Sequence, residues 1–235
     1  MLNSGASETP AFALGGLSTL SQADKRYLLS GLQEGAQQLK LALADSDLEK
    51  LIAYINLLRR WNATHNLTAL DDREKILTHH LLDSLSIAPH TRGPAAMDVG
   101  SGAGFPGAVL ALAHPDEHWT LVESRSKKAG FLREVKARLG IKNLSVFEGR
   151  VEDYRADENF DTLTARAVTS LASLLKMTAH LCHPRLRLIA MKGVYPDDEL
   201  TALDRDQREA AQVIPVSVPG LSARRHMVLI EGLPG

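Results

Sequence analysis

The chain has 235 residues, 44% of them hydrophobic, which suits one α/β domain of ordinary size with a helical extension. Its 27 Lys and Arg residues nearly balance its 28 Asp and Glu residues, so the net charge of −1 excludes a globally basic protein that coats nucleic acid nonspecifically, but not a local basic face. The single cysteine, Cys182, excludes a disulfide framework and a cysteine-rich zinc site within one chain, and no apolar run approaches the roughly 20 residues that span a bilayer.

Residues 1–92 predict a tail followed by helices. Residues 1–17 are small, polar and glycine-containing, which is typical of a disordered tail, and they lack a basic segment followed by a long apolar one. We therefore expect no secretory signal and a cytoplasmic protein. From residue 18, apolar residues recur at spacings of three and four, which predicts successive helices ending near residues 43, 62 and 88. Residues 18–92 thus form a predicted N-terminal helical region.

Residues 93–235 show the alternation of an α/β domain. Short apolar runs predict strands at 95–99, 118–123, 144–147, 160–165, 185–191, 212–218 and 226–231. Helical stretches separate most of them, which predicts a mostly parallel sheet with helices on both faces. The last two runs flank Pro219-Gly220 and predict an antiparallel hairpin at the sheet edge. Cys182 lies near Leu181 and Leu186, so we expect a buried structural thiol.

The candidate binding site begins where the first predicted strand ends. Asp98 precedes three glycines at alternate positions, Gly100, Gly102 and Gly104, which permit positive φ and remove the Cβ atoms that would block a ligand. Pro106 suits the first turn of the helix that follows. Because open α/β sheets bind ligands at the carboxyl ends of their strands, the backbone here can press against a nucleoside-bearing ligand.

Two ligands compete for this loop. Residues 102–107 match G-x-G-x-x-G, the dinucleotide fingerprint, so one alternative is an NAD-dependent oxidoreductase. Three features favour S-adenosylmethionine: the carboxylate of Asp98, placed to accept from a ligand amino group directly or through water; a tight turn that already begins at Gly100; and a sheet that starts only after a long helical region. No hydride-transfer constellation accompanies the fingerprint.

The ends of the later strands supply further candidates. Glu123 follows the glycine loop by about 20 residues, the distance at which an acidic residue receives ribose hydroxyls. After the third strand, Val151 and Glu152 can flank an adenine ring and bind its amine. Arg166 ends the fourth strand and can hold the methionine carboxylate, a substrate phosphate or an internal Asp. Lys192 ends the fifth strand and is a phosphate or substrate candidate.

With these residues in place, the sequence resembles the glucose-inhibited division protein B family of bacterial methyltransferases that modify guanine N7 in small-subunit ribosomal RNA. The likeness runs from about residue 51 to residue 230. Its marks are Trp61-Asn62, Asn66-Leu67-Thr68-Ala69, His80-Leu81-Leu82-Asp83-Ser84-Leu85, the segment from Asp98 to Gly107, Arg166-Ala167 and Lys192-Gly193.

The resemblance implies a fold, a cofactor and a partner. The fold is the α/β class I methyltransferase architecture, a Rossmann-like, mostly parallel seven-stranded sheet with an N-terminal helical extension. The cofactor is S-adenosyl-L-methionine, and the partner is small-subunit ribosomal RNA, with no metal, no membrane and a monomeric enzyme. The implied cofactor contacts are Gly100, Phe105, Val151, Glu152 and Arg166.

Guanine N7 has a lone pair and no proton, so its attack on a sulfonium methyl group needs positioning and no general base. We expect His79, His80, Asp83 and Asn66 to shape the guanine pocket, with His80 satisfying the core or a helix end and not acting as a base. Two basic clusters are candidates for RNA phosphates. They are Arg125, Lys127, Lys128, Arg133, Lys136 and Arg138, and then Arg224, Arg225 and His226. The remaining alternative is a non-catalytic RNA-binding module on the same fold.

Overall fold

The computed structural model describes residues 20–65, 67–68, 72–156 and 159–232. The predicted tail at residues 1–17 and the candidate Asn66 lie outside these ranges. The centre of the molecule is a seven-stranded sheet in the order β3-β2-β1-β4-β5-β7-β6. The strands are β1 (Ala95–Val99), β2 (His118–Glu123), β3 (Leu144–Glu148), β4 (Thr162–Arg166), β5 (Arg187–Lys192), β6 (Ala211–Val216) and β7 (Arg225–Glu231).

The sheet confirms the predicted class and corrects one detail at its edge. Strands β1 to β5 are parallel, and β7 runs antiparallel to β5 on one side and to β6 on the other. The two last strands do form an antiparallel pair. The reversed strand, however, is second from the edge, because β7 inserts between β5 and β6 and leaves β6 outermost. The start of β7 therefore lies beside the end of β5, where Lys192 pairs with His226 in register.

The longer helices follow the apolar periodicity. The α-helices of the described residues are α1 (Gln22–Gln38), α2 (Asp45–His65), α3 (Arg73–Lys75), α4 (Asp83–Leu85), α5 (Gly107–Ala113), α6 (Ser126–Leu139), α7 (Leu171–Thr178), α8 (Asp197–Thr201) and α9 (Arg205–Ala210). Helix α1 begins at the N-cap Ser21, whose hydroxyl accepts from the backbone N–H of Asp24. None of the described helices is long and apolar enough to cross a bilayer.

The third predicted helix is not a regular α-helix. Residues Ile76–Leu82 form a π-helix between the short helices α3 and α4. A π-helix spaces its hydrogen bonds one residue wider than an α-helix and is frequently found at functional sites. Periodicity did not reveal it, because the apolar residues of this segment remain buried in either helix type. The π-helix carries His79 and His80 and leads directly into Asp83.

Two apolar clusters cover the faces of the sheet. One joins α1 and α2 to the strands and to α6, with Tyr54, Trp119 and Phe131 fully buried. The other lies between the opposite face and α7. The helical region is therefore packed on the sheet, while its boundary at residues 92 and 93 stays a prediction. Cys182 is only half-buried, less than expected, and burial raises the pKa of its thiol.

Candidate functional site

The glycine loop takes backbone conformations that only glycine adopts at low cost. Gly102 has φ +60° and Gly104 has φ +100°. A Cβ on Gly104 would lie 2.7 Å from the hydroxyl of Tyr54, whereas a Cβ on Gly102 would meet nothing closer than Lys128 Nζ at 3.8 Å. Gly104 is therefore needed for packing inside the protein. Gly102 leaves the outer face of the loop open, which is the space that a bound cofactor requires.

Asp98 lies inside the loop and not at its outer face. Its side chain is fully buried, with Oδ2 accepting from the backbone N–H of Gly107 at 3.0 Å and Oδ1 from the Thr164 hydroxyl at 3.0 Å. Burial raises the pKa of Asp98 to about 6, although these hydrogen bonds oppose the rise. The expectation that this carboxylate faces a ligand amino group is corrected: both oxygens hold the start of α5 and β4 against β1.

Glu123 joins the end of β2 to the same loop. One carboxylate oxygen accepts from the backbone N–H of Gly102 at 2.8 Å, and the other accepts from the N–H of Arg125 at 2.7 Å. The side chain is buried but lies directly beside the open position at Gly102. Each oxygen retains a second lone pair, so the carboxylate can brace the loop and still accept from a ribose hydroxyl.

The adenine candidates lie at the adjacent strand end. Val151 is buried and Glu152 is partly buried, in the turn that follows β3. Glu152 Oε1 accepts from Arg150 at 3.2 Å, while Glu152 Oε2 is buried and has no hydrogen-bond partner among the described residues. A hydrogen bond from its own backbone N–H is the main cause that lowers the pKa of Glu152, and the amine contact predicted for this side chain stays a prediction.

Phe105 connects the glycine loop to the π-helix. The His80 ring stacks on the Phe105 ring at a centroid distance of 4.3 Å and an angle of 12°, and the guanidinium of Arg166 lies 5.3 Å from the same ring. Phe105 is only 4% exposed, so its ring belongs to the interior. Any contact with the cofactor predicted for Phe105 must therefore come mainly from its backbone.

His80 is held as a neutral imidazole. Burial and the charge of Arg166 lower the pKa of His80 to about 3. Its Nδ1 accepts from Arg166 at 3.4 Å, and its Nε2 lies 3.3 Å from the Thr68 hydroxyl. Both ring nitrogens of His80 are thus in contact with side chains of the protein, and its part in catalysis stays a prediction.

Asp83 is the centre of a charged network that the sequence motif did not disclose. Its Oδ2 lies 3.0 Å from Arg166 and its Oδ1 lies 3.0 Å from Arg225, and the carboxylate is 6% exposed. Of the three partners predicted for Arg166, the structure contains the internal Asp. Arg225 was expected only as part of a basic cluster, and 142 residues separate it from Asp83.

This network forms one wall of a cavity beside the glycine loop. The cavity has a volume of about 690 Å³, and Val168, which also contacts the loop near Gly100, is one of its lining residues. Its polar lining residues are His79, His80, Asp83, Ser86, Arg166, Thr169, Lys192, Glu199, Arg225 and His226. Lys192 does line the cavity as expected of a substrate candidate, but its ammonium forms an ion pair with Glu199 at 2.7 Å.

Some of the remaining candidates are also held in ion pairs within the protein. Within the α6 basic cluster, Arg133 pairs with Glu148 and Arg138 with Glu134, so these two arginines are already occupied by carboxylates.

Sequence reasoning missed two residues, Tyr54 and Glu199, because neither belongs to a local motif. Tyr54 lies on α2 and donates to the carbonyl of Ala103. In the described ranges, no group of three or more His, Cys, Asp or Glu side chains is arranged to hold a metal ion.

Comparisons with known proteins agree with this arrangement. The model of a family described as rRNA small subunit methyltransferase G, GidB, matches residues 47–228. A protein of Nitrosomonas europaea named ribosomal RNA small subunit methyltransferase G is 46% identical over 189 residues, which cover 79% of this chain and 88% of that protein. One of the same name from Methylobacillus flagellatus is 45% identical, covering 85% of this chain and 96% of that protein.

Solved structures show a similar fold at low sequence identity. An S-adenosylmethionine-dependent methyltransferase from Aquifex aeolicus has a TM-score of 0.53 and 19% identity, with 70% of this chain and 96% of that chain covered. The M1A22 tRNA methyltransferase of B. subtilis has a TM-score of 0.50 and 14% identity, with 65% of this chain and 66% of that chain covered.

Proposed function

Because this chain belongs to the ribosomal RNA small subunit methyltransferase G family, we propose that it transfers the methyl group of S-adenosylmethionine to N7 of a guanine in small-subunit ribosomal RNA. Family membership makes the chain a methyltransferase, and the NAD-dependent oxidoreductase and non-catalytic alternatives are wrong on that ground. The choice of guanine N7, the RNA contacts, a cytoplasmic location and a monomeric enzyme are proposals.

The cofactor half of the site fits a nucleoside-bearing donor. The open position at Gly102 admits the close approach of a ligand, and Glu123 beside it offers acceptors for ribose hydroxyls. Glu152, in the turn after β3, offers a carboxylate for an adenine amine. When bound, S-adenosylmethionine supplies an electrophilic methyl group on a positively charged sulfur.

The observation that carries the choice of N7 is the state of the acidic groups in the cavity. Its two lining carboxylates, Asp83 and Glu199, are both ion-paired to cations. Of its three imidazoles, that of His80 is a weak base, Nδ1 of His79 lies 2.8 Å from the Thr78 hydroxyl, and Nδ1 of His226 is buried. An exocyclic amine or a hydroxyl must lose a proton during methylation, whereas the N7 lone pair attacks the methyl carbon directly and S-adenosylhomocysteine leaves. A cavity that orients its substrate by fixed charges suits this displacement.

The proposal is tested by transfer of labelled methyl groups to small-subunit RNA, naked and in ribosomal particles, from a strain that lacks this gene. After the methylated guanine is mapped, it is replaced by 7-deazaguanine, which carries a carbon in place of N7. We expect the substituted RNA to bind and to accept no methyl group. Continued transfer to the substituted position, or no transfer to either form of the RNA by a protein that binds the cofactor, would contradict the proposal.

A further inference from the structure

The loop between β5 and α8 exposes apolar side chains beside the cavity. Val194 is 77% exposed and Tyr195 is 49% exposed, and with Tyr27 they are the large hydrophobic residues exposed within the described ranges. Lys192 and Gly193, which line the cavity, immediately precede them. An exposed valine and tyrosine next to residues that line a cavity are placed to contact a ligand that extends from it.

The Tyr195 ring is held by a second aromatic group that faces the same cavity. Its edge meets the His226 ring at a centroid distance of 5.6 Å and an angle of 81°. His226 lines the cavity, and its Nδ1 is buried with no hydrogen-bond partner among the described residues. This edge-to-face contact fixes the Tyr195 ring beside the part of the cavity wall that His226 forms.

Ion pairs and hydrogen bonds fix the base of this loop. Glu199 accepts from Lys192 at 2.7 Å and from the backbone N–H of Leu171 at 2.7 Å, which ties the loop to β5 and α7. Arg225 next to His226 is anchored on Asp83, and Arg224 is exposed. An aromatic surface on a fixed support with cations around it is the arrangement that binds unstacked bases of single-stranded nucleic acid.

We propose that Tyr195, with Val194 and His226 beside it, stacks on the nucleobase next to the target guanine in the RNA. These three residues are here called the aromatic lip. The cavity takes the target base, and the lip holds the adjacent base outside it, so that the RNA must be unstacked at this point to be methylated. This inference rests on the proposed function and adds to it a residue-level account of how the RNA strand is selected.

The first test compares Tyr195→Ala with Tyr27→Ala, a control at another exposed tyrosine, which lies on α1 and packs against Arg73. Loss of a base–aromatic stack is expected to raise the concentration of small-subunit RNA needed for half-maximal single-turnover methylation by roughly 5- to 100-fold, with S-adenosylhomocysteine affinity unchanged. Tyr195→Phe should restore RNA binding. Tyr27→Ala should behave as wild type.

A second test identifies the stacked base. Nucleotides on either side of the mapped guanine are replaced one at a time by abasic residues. At the base that stacks on the lip, removal should weaken RNA binding to the wild-type enzyme but not further weaken binding to Tyr195→Ala. The proposed stacking on the aromatic lip is wrong if wild type and Tyr195→Ala need the same RNA concentration for half-maximal methylation. It is also wrong if the losses of RNA binding from Tyr195→Ala and from the abasic residue are additive at every flanking position. Failure of wild-type methylation of any RNA instead removes the proposed function and the lip together.

Discussion

The two halves of the active edge satisfy their polar groups in different ways. In the cofactor half, residues 98–107 with Glu123, the carboxylates accept mainly from backbone N–H groups, those of Gly102, Gly107 and Arg125. In the cavity half, Asp83 and Glu199 are instead paired with the side chains of Arg166, Arg225 and Lys192. The first half is shaped by backbone geometry, and the second by long side chains from distant parts of the chain.

That difference indicates a division of labour. A loop fixed by backbone hydrogen bonds presents one rigid face, as a constant cofactor requires. Ion-paired side chains around a cavity present charges that orient a larger substrate. If the halves are separable, changes in the first should act on cofactor affinity, and changes in the second on RNA use and on the rate of methyl transfer.

The largest effect is expected from Gly102→Val in the cofactor half. The added side chain occupies the open face of the loop, so S-adenosylhomocysteine binding should be lost in calorimetry. Gly140→Val is the matched control, because Gly140 also has positive φ, +61°, with nothing within 4 Å of an added Cβ atom, yet it ends α6 away from the site. Both variants carry a similar backbone strain. Near wild-type affinity in a folded Gly102→Val protein would show that the cofactor lies elsewhere.

The next effect belongs to the cavity half. Asp83→Asn removes the charge that holds two arginines, and their displacement should slow single-turnover methyl transfer by roughly 100-fold while cofactor affinity stays unchanged. Glu231→Gln is the control, because Glu231 also joins two arginines, Arg92 and Arg187, but at the opposite end of β7. If both variants lose the same rate of methyl transfer, Asp83 acts only by stabilising the fold. If Asp83→Asn also loses cofactor affinity, the two halves do not act separately.

The two halves also differ in how much the sequence reveals. The strands, the glycine loop and Glu123 follow from short-range patterns, since each role depends on neighbours in sequence. The Asp83–Arg225 pair spans 142 residues and depends on β7 inserting beside β5, which no local pattern specifies. The predicted orientation of Asp98 was wrong for a related reason. A carboxylate at the end of a strand can face either a ligand or the core, and the positions of Thr164 and Gly107 determine which one it faces.

Asp98 gives the cofactor half a distinctive pH dependence of stability. Its pKa is about 6 in the folded protein and about 3.9 in unfolded chains, so the native state holds the extra proton between these values. Asp98 therefore makes its full contribution to the free energy of unfolding below about pH 4. As the pH rises through 6, the free energy of unfolding falls by roughly 3 kcal/mol because of this group. Asp98→Asn keeps both hydrogen bonds by accepting from Gly107 and donating to Thr164, and removes the titration.

The measurement is the free energy of unfolding of wild type and Asp98→Asn across this pH interval. The difference should shift in favour of the variant as the pH rises. Asp24→Asn serves as a control that should show no change over this interval. The Ser21 hydroxyl and Arg73 lower the pKa of Asp24, so its contribution to stability changes only below about pH 4. If the difference in the free energy of unfolding between wild type and Asp98→Asn does not change with pH, Asp98 is not a buried group that titrates in this interval.

A smaller effect is expected from Glu123→Ala, which should weaken S-adenosylhomocysteine binding by roughly 1–3 kcal/mol. The loop contact to Gly102 is lost in the same variant, so the ribose contribution needs a second comparison. Wild type should discriminate against 2′-deoxy-S-adenosylhomocysteine, and Glu123→Ala should discriminate less, because the acceptor has gone. Unchanged discrimination would restrict Glu123 to bracing the loop.

The most direct test of the account is the pH profile of methyl transfer in the cavity half, measured in single turnover with both RNA and cofactor saturating. Under these conditions binding drops out, and the rate reports the chemical or a conformational step. Because N7 carries no proton and His80, with a pKa of about 3, stays neutral, the rate should remain flat from about pH 8 to about pH 6. A rate that falls tenfold per pH unit below about pH 7, and that more RNA or cofactor does not restore, would contradict the account, because it would require a histidine general base and a target atom that must be deprotonated.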